Sequence, residues 1–371
     1  MPRLSSTPRA ILIDVIPPRM EKDIAERRLT ELESLTKTYG GIIVVELIQK
    51  KSIPDYKTYV GSGKLDEIIE IAKREKAEIL IVNNLLKPKQ MFTLGEKLRP
   101  HQMVVWDRVD LILKIFQKHA ETAEAKLQIK LAALKHMGPR IFGMGMEMMQ
   151  QAGGTGTRGG QGETNTEVMK RHLADQERRI KKDLDAAARS RSVHRERRDR
   201  LGLQTASIVG YTNAGKSSLL NALTKKGAYV ANELFATLDT RVSKLWLPEI
   251  KKEVLLSDTI GFIQDLPPEL VSAFRSTLDE TVDADFLLHV IDVGDPHMAE
   301  KIEEVEKILS SLGVADMPKI YVFNKIDTIK KIDRKSLLEK YADKTPVFVS
   351  ALTGKGLEDL KDAIEQRVRA L

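Results

Sequence analysis

Cysteine is absent from all 371 residues. That excludes disulfides and thiolate metal sites, and it fits a reducing compartment. Long apolar runs are missing as well. The opening stretch MPRLSSTPRAILIDVIPPR holds one short apolar run broken by Asp14, too short for a signal peptide or a membrane span, and no later run reaches spanning length. No membrane insertion and a soluble, cytoplasmic protein are expected.

Charge is plentiful and unevenly placed. The chain carries a formal +7, but residues 1–202 hold 38 Lys+Arg against 27 Asp+Glu, whereas the remainder holds 22 against 26. A basic first half on an acidic second half points to a polyanionic partner for the first half, with solvated charged helices as the plainer explanation.

Residues 10 to about 115 alternate short apolar runs (ILIDVI, GIIVVELIQ, EILIVNN, MVVWDRV) with helical stretches, the pattern of a small, mostly parallel α/β sheet. GSGK (61–64) suggests phosphate binding only weakly. Leu65 follows the lysine where Ser or Thr is needed, and Thr58 occupies the position of the first loop glycine. From about Leu111 to Lys135, Ile115, Ala120, Ala123, Leu127, Leu131 and Leu134 recur at helical spacing, and Gly138-Pro139 is expected to end that helix. A second helical segment, about 163–200, has few apolar residues and many basic ones, closing in RSRSVHRERRDR. Between them lies AGGTGTRGGQGE (152–163), with six glycines in twelve residues. The expectation is a basic antiparallel hairpin over 111–202 with its glycine-rich tip at about 140–165, following an N-terminal α/β domain over 1–110.

After Leu203 the apolar runs TASIVGY, EVLLSDT, DFLLHVIDV, KIYVFNKID and PVFVSAL read as buried parallel strands, so 203–371 is expected to be a doubly wound α/β domain. GYTNAGKS (210–217) fits G-x-x-x-x-G-K-[ST] between a strand and a helix. Its residues Gly210, Tyr211, Thr212, Asn213, Ala214, Gly215, Lys216, Ser217 and Ser218 are expected to cradle phosphates. The lysine would neutralise the β- and γ-phosphates, and the Ser217 hydroxyl would ligate Mg²⁺. DTIG (258–261) closes another strand, where Asp258 can hold Mg²⁺ through water and the Gly261 amide can meet the γ-phosphate. In NKID (324–327) the Asp327 carboxylate suits the adjacent N–H and amine of guanine and would face a lone pair on adenine. Asn324 and Lys325 belong to the same element, and Ser350, Ala351 and Leu352 would approach the base through backbone.

These elements, in this order, resemble the nucleotide-binding set of the translation-factor class of P-loop GTPases. The switch between P-loop helix and DTIG is then ELFATLDT (233–240), comprising Phe235, Ala236, Thr237, Leu238 and Asp239, together with Asp258, Thr259, Ile260 and Gly261. Thr237, with Thr240 as the competing choice, is placed on Mg²⁺ and the γ-phosphate. Phe262 stands where many GTPases have a water-orienting glutamine, so intrinsic hydrolysis is expected to be slow. In related GTPases that use a monovalent cation, an asparagine at the position of Asn213 ligates K⁺; a turn-forming asparagine is the alternative.

GGTGTRGGQGETNTE, HAETAEAKLQIKLAALKH, VGSGKLDEI, GYTNAGKS, FATLD and DTIGF together resemble the HflX-type ribosome-associated GTPases, close to the Obg-like group, over nearly the whole chain. The resemblance implies GTP hydrolysis and association with the large ribosomal subunit and its RNA, with separation or rescue of ribosomes in some members. Arg158, at a tip that lacks the family's usual proline, and Arg171, Arg178 and Arg179 are the candidate RNA contacts, and a monomer is expected. An RNA-remodelling NTPase that also uses ATP, and a GTP-switched module for a protein or membrane partner, are the competing functions.

Overall fold

The computed structural model describes residues 4–151, 165–224, 241–259, 261–263, 270, 281–329 and 331–371. The glycine-rich stretch 152–164 with Arg158, the switch residues Phe235, Ala236, Thr237, Leu238 and Asp239, the competing Thr240, and Ile260 lie outside them. The chain divides into two compact units. One comprises Met1–Lys118 and Leu127–Asp183; the other comprises His119–Lys126 and Leu184–Leu371.

The first unit contains β1 (Arg9–Ile16), α1 (Lys22–Tyr39), β2 (Ile42–Lys50), α2 (Ser62–Glu75), β3 (Ile79–Val82), α3 (Pro88–Leu98), β4 (Val104–Asp107) and most of α4 (Arg108–His119). The four strands are parallel in the order β2-β1-β3-β4. A central parallel strand is covered on both faces and so must be apolar throughout. Ile11, Ile13 and Val15 of β1 pack with Leu65 and Ile68 of α2 and Leu94 of α3. Alternation turns Asp14 to the other face. There it is fully buried, and it accepts from Arg28 Nε of α1 at 2.9 Å and from Asn83 Nδ2 at 2.8 Å. A buried carboxylate needs such partners to remain charged.

The helices that follow depart from the sequence expectation in three ways. The periodicity from Leu111 to Lys135 belongs to two helices, because the chain breaks after His119 and restarts as α5 (Ala123–Gln151). Thr122 marks the restart: its hydroxyl accepts from the Ala125 amide at 3.1 Å, an N-cap within a run that otherwise favours helix. Second, Gly138-Pro139 does not end α5, which continues to Gln151. Proline forfeits one helical hydrogen bond there, but His136 and Arg140 on either side are anchored to Asp107 and Asp110. Those tertiary contacts hold both flanks in helix. Third, the buried stripe is Ala125, Ile129, Leu131 and Ala132, while Ala123 is exposed. The last long helix, α6 (Asn165–Arg200), has 36 residues; it buries Ile180 and exposes Arg171, Arg178 and Arg179.

The second unit contains β5 (Gln204–Gly210), α7 (Lys216–Thr224), β6 (Arg241–Leu247), β7 (Lys252–Asp258), β8 (Phe286–Asp292), α8 (Met298–Ser311), β9 (Lys319–Asn324), α9 (Arg334–Lys340), β10 (Val347–Phe348) and α10 (Leu357–Ala370). Its six strands run in the order β10-β9-β8-β5-β7-β6, parallel except for β6, which pairs antiparallel with β7. One apolar core unites Ile208, Leu219, Leu256, Leu288, Val322 and Ile364. β5 lies between β7 and β8, where successive connections leave to opposite sides. Such a switch point opens a crevice at the carboxyl ends of the strands. Among the described residues no helix is long and apolar enough to cross a membrane.

Candidate functional site

The loop after β5 is shaped by two glycines. Gly210 has φ 151°, and a Cβ there would lie 2.3 Å from the Val290 carbonyl oxygen of the adjacent β8. Gly215 has φ 96°, and its Cβ would meet Asn324 Nδ2 at 2.3 Å. Neither position admits a side chain. Between them Asn213 adopts φ 62° and is exposed; asparagine tolerates this left-handed geometry better than most residues. The loop is clasped to the segment beyond DTIG. Phe262 N donates to Gly210 O at 3.1 Å, and Thr212 N donates to Phe262 O at 2.7 Å. α7 then starts at Lys216, which places the amides of its first residues, Ser217 and Ser218 included, at a helix N-terminus.

A cation, a hydroxyl and a carboxylate converge here. Lys216 Nζ donates to Tyr211 O at 2.9 Å and Gly210 O at 3.2 Å, and burial pushes its pKa down to about 8 against the opposing pull of Asp258. Ser217 Oγ donates to Asp258 Oδ2 at 2.6 Å, and Asp258 is fully buried. These hard oxygen donors suit Mg²⁺, whereas the ammonium and helix amides suit a polyphosphate. A Cβ on Gly261 would lie 2.8 Å from Lys216 Nζ, so the DTIG backbone approaches the lysine head directly. Thr259 is turned away, its hydroxyl donating to Ile208 O at 2.8 Å. Phe262 is buried in a cluster with Val209, Tyr211 and Leu287. Its ring belongs to the core, and it has no polar atom with which to orient water.

The NKID and SAL elements meet through one residue. Asn324 Nδ2 donates to Ala214 O at 2.9 Å, and its Oδ1 accepts from Ala351 N at 3.0 Å. Ser350 is buried, its hydroxyl accepting from Thr353 N at 3.1 Å, whereas Leu352 is exposed. Asp327 is exposed. Lys325 adopts φ 65° and its Nζ donates to Asp292 Oδ2 at 2.7 Å. Asp292 was not singled out by sequence, although an acid at the carboxyl end of a parallel strand was the available signal. Lys301 was missed too: its Nζ lies 4.6 Å from the Tyr211 ring centroid and pairs with Asp295. Tyr211, Thr212, His289, Asp292 and Lys301 border a cavity of about 70 Å³ beside the loop.

Two other clusters, GSGK and a trio that only the structure brings together, resolve into internal bonding. At GSGK, Gly61 N donates to Gln49 Oε1 at 3.0 Å, Lys64 pairs with Glu67 at 2.6 Å, and the buried Thr58 hydroxyl donates to Val60 O at 2.7 Å. Asp107, Asp110 and His136 form a metal-like trio, but Arg140 bonds both carboxylates. Burial opposes the charge on His136, yet hydrogen bonds to the two acids raise its pKa to about 9. The charge of the acids is thus already met, and the cluster is a clamp on α5.

Three family models match the chain in succession: a GTP-binding GTPase N-terminal model over residues 26–117, a GTP-binding GTPase middle-region model over 119–198, and a 50S ribosome-binding GTPase model over 205–325. The GTPase HflX of Caldanaerobacter subterraneus is 42% identical over 97% of this chain and 80% of its own length. That of Escherichia coli is 36% identical over 94% and 80%, respectively. Among solved structures, a GTP-binding protein of Sulfolobus solfataricus in complex with GDP is similar over 98% of this chain and 99% of that one, with 26% identity and a TM-score of 0.53.

Proposed function

From the premise that this chain belongs to the HflX family of GTPases and hydrolyses GTP, we propose that it is a monomeric cytoplasmic protein that docks on the large ribosomal subunit in its GTP form and separates or rescues ribosomes. The observation that carries this reading is the meeting of phosphate-loop, DTIG and NKID elements in one crevice of a chain whose first 202 residues are strongly basic. The 50S ribosome-binding description of the model matched over 205–325 points the same way.

In this proposal residues 210–218 and Gly261 hold the phosphates. Lys216, whose charge a polyanion would favour further, faces the β- and γ-oxygens. Ser217 and Thr237 ligate Mg²⁺, with Asp258 acting through water. When bound, the ion neutralises charge on the β- and γ-phosphate oxygens. Asp327 reads the guanine edge, Asn324 fixes the loops around the base, and Ser350, Ala351 and Leu352 close over it through backbone. Phe235 to Asp239 and Asp258 to Gly261 respond to the γ-phosphate and are released after hydrolysis. With a phenyl ring at 262, turnover is slow until another group completes the site. In this reading Asn213, as in related GTPases that use a monovalent cation, would bring K⁺ to the phosphates, so GTP turnover is expected to be faster in potassium than in sodium buffer; equal turnover would leave it a turn-forming asparagine. Residues 1–110, 111–202 and 203–371 act as N-domain, basic arm and GTPase domain, and Arg158, Arg171, Arg178 and Arg179 contact ribosomal RNA.

The test is sedimentation with large subunits in GDP and in a non-hydrolysable GTP analogue. Co-migration that requires the triphosphate form and weakens as salt rises is expected. Equal pelleting in both nucleotides, or equal binding of ATP and GTP, would overturn the proposal.

A further inference from the structure

The loop between β2 and α2 in the first unit displays two large apolar side chains to solvent: Ile53 is 78% exposed and Tyr56 is 70% exposed. The turn that carries them is firmly built. Asp55 Oδ1 accepts from the amides of Lys57 at 2.8 Å and Thr58 at 2.9 Å. Asp55 and Tyr59 exchange backbone hydrogen bonds at 2.9 and 3.0 Å, which holds Tyr59 at φ 64°. Gln90 Nε2 donates to Asp55 O at 2.8 Å, joining the loop to α3. A tyrosine projecting from so fixed a turn loses little freedom when it docks.

The surroundings are basic. Residues 50–64 contain four lysines and one acid, and residues 85–89 add two lysines and no acid. The acid is Asp55, which is already engaged by the turn. The two segments are adjacent, because Lys89 Nζ stands 4.9 Å from the Tyr56 ring centroid. Lys89 against one exposed aromatic ring, with Lys57 next to that ring in sequence and Lys87 in the segment that carries Lys89, matches a polyanion that also offers flat rings. Two apolar tips are too few to anchor a bilayer, whereas base stacking on one ring is substantial and tolerant of sequence.

We infer that this loop is a docking surface for RNA, with Tyr56 stacking an unpaired base while Lys57, Lys87 and their neighbours contact the adjoining phosphates. It lies apart in sequence from the arginines of α6, and the inference stands whether or not the large subunit is the physiological partner.

The test uses the full chain and a single-stranded RNA of about 12 nucleotides containing 4-thiouridine, with crosslinked peptides mapped after trypsin. The peptide 52–57 is expected to carry the crosslink. Tyr56→Ala should remove it and weaken binding through this surface roughly 10-fold, with Tyr56→Phe retaining both and Lys57→Glu flattening the salt dependence. The thermal unfolding profile of Tyr56→Ala should equal that of the wild type, which reports an intact first unit. Crosslinks confined to other peptides, with Tyr56→Ala indistinguishable from wild type, would overturn the inference. So would Tyr56-dependent binding to phosphatidylserine vesicles combined with RNA binding that ignores the substitution.

Discussion

Asn324 Nδ2 lies 2.9 Å from the carbonyl oxygen of Ala214, a residue 110 positions earlier in the chain. With its Oδ1 bonded to Ala351 N, this buried amide ties the phosphate loop to the segments that follow β9 and β10. Asn324→Ala would leave a buried carbonyl and a partly buried N–H without partners, at a cost of about 2–3 kcal/mol. GTP affinity is expected to fall roughly 30-fold or more. Titration with a fluorescent guanine nucleotide checks this, and an unchanged affinity would refute the tie.

Gly210→Ala is expected to abolish nucleotide binding and lower the melting temperature. The cause is steric: a Cβ at 2.3 Å from Val290 O forces β5 and β8 apart beneath the loop. Gly63→Ala is the control, because nothing lies within 4 Å of a Cβ at that position. If calorimetry found both variants equally stable, the close approach of the two strands would be in error.

Asp327→Asn is expected to reduce GTP affinity by about 100-fold while leaving the fold intact, because the residue is exposed and its proposed work is with the ligand alone. Competition between GTP, ATP and xanthosine triphosphate reads this out. A variant that still prefers GTP as strongly as the wild type would remove Asp327 from the base-reading role.

The clamp on α5 predicts a pH-dependent stability. The folded protein holds His136 at about 9, above its ordinary value of 6.5. Its contribution is therefore complete below about pH 6.5 and is lost as pH rises through 9. The melting temperature should fall across that window in the wild type and vary less in His136→Gln. Arg140→Ala, which leaves Asp107 and Asp110 short of charge, should cost about 3 kcal/mol. Denaturant unfolding of the variants against wild type measures both effects.

The sequence alone determined the chemistry of the second unit. GYTNAGKS, DTIG and NKID each close an apolar strand, and a motif whose function depends on backbone geometry at a strand end is readable wherever the strand is. The α/β alternation of the first unit was legible for the same reason, since buried parallel strands must be apolar on both faces. What the sequence could not give was the partnership between distant side chains. Nothing in the sequence near Gly138-Pro139 says that α5 passes through it, because the reason lies about 30 residues away in Asp107 and Asp110. Asp292 beside Lys325, and Asn324 beneath Ala214, were likewise decided by the order in which strands assemble. Local periodicity encodes which face is buried; only the packed sheet decides which residues meet there, since that depends on register and strand order rather than on neighbours along the chain.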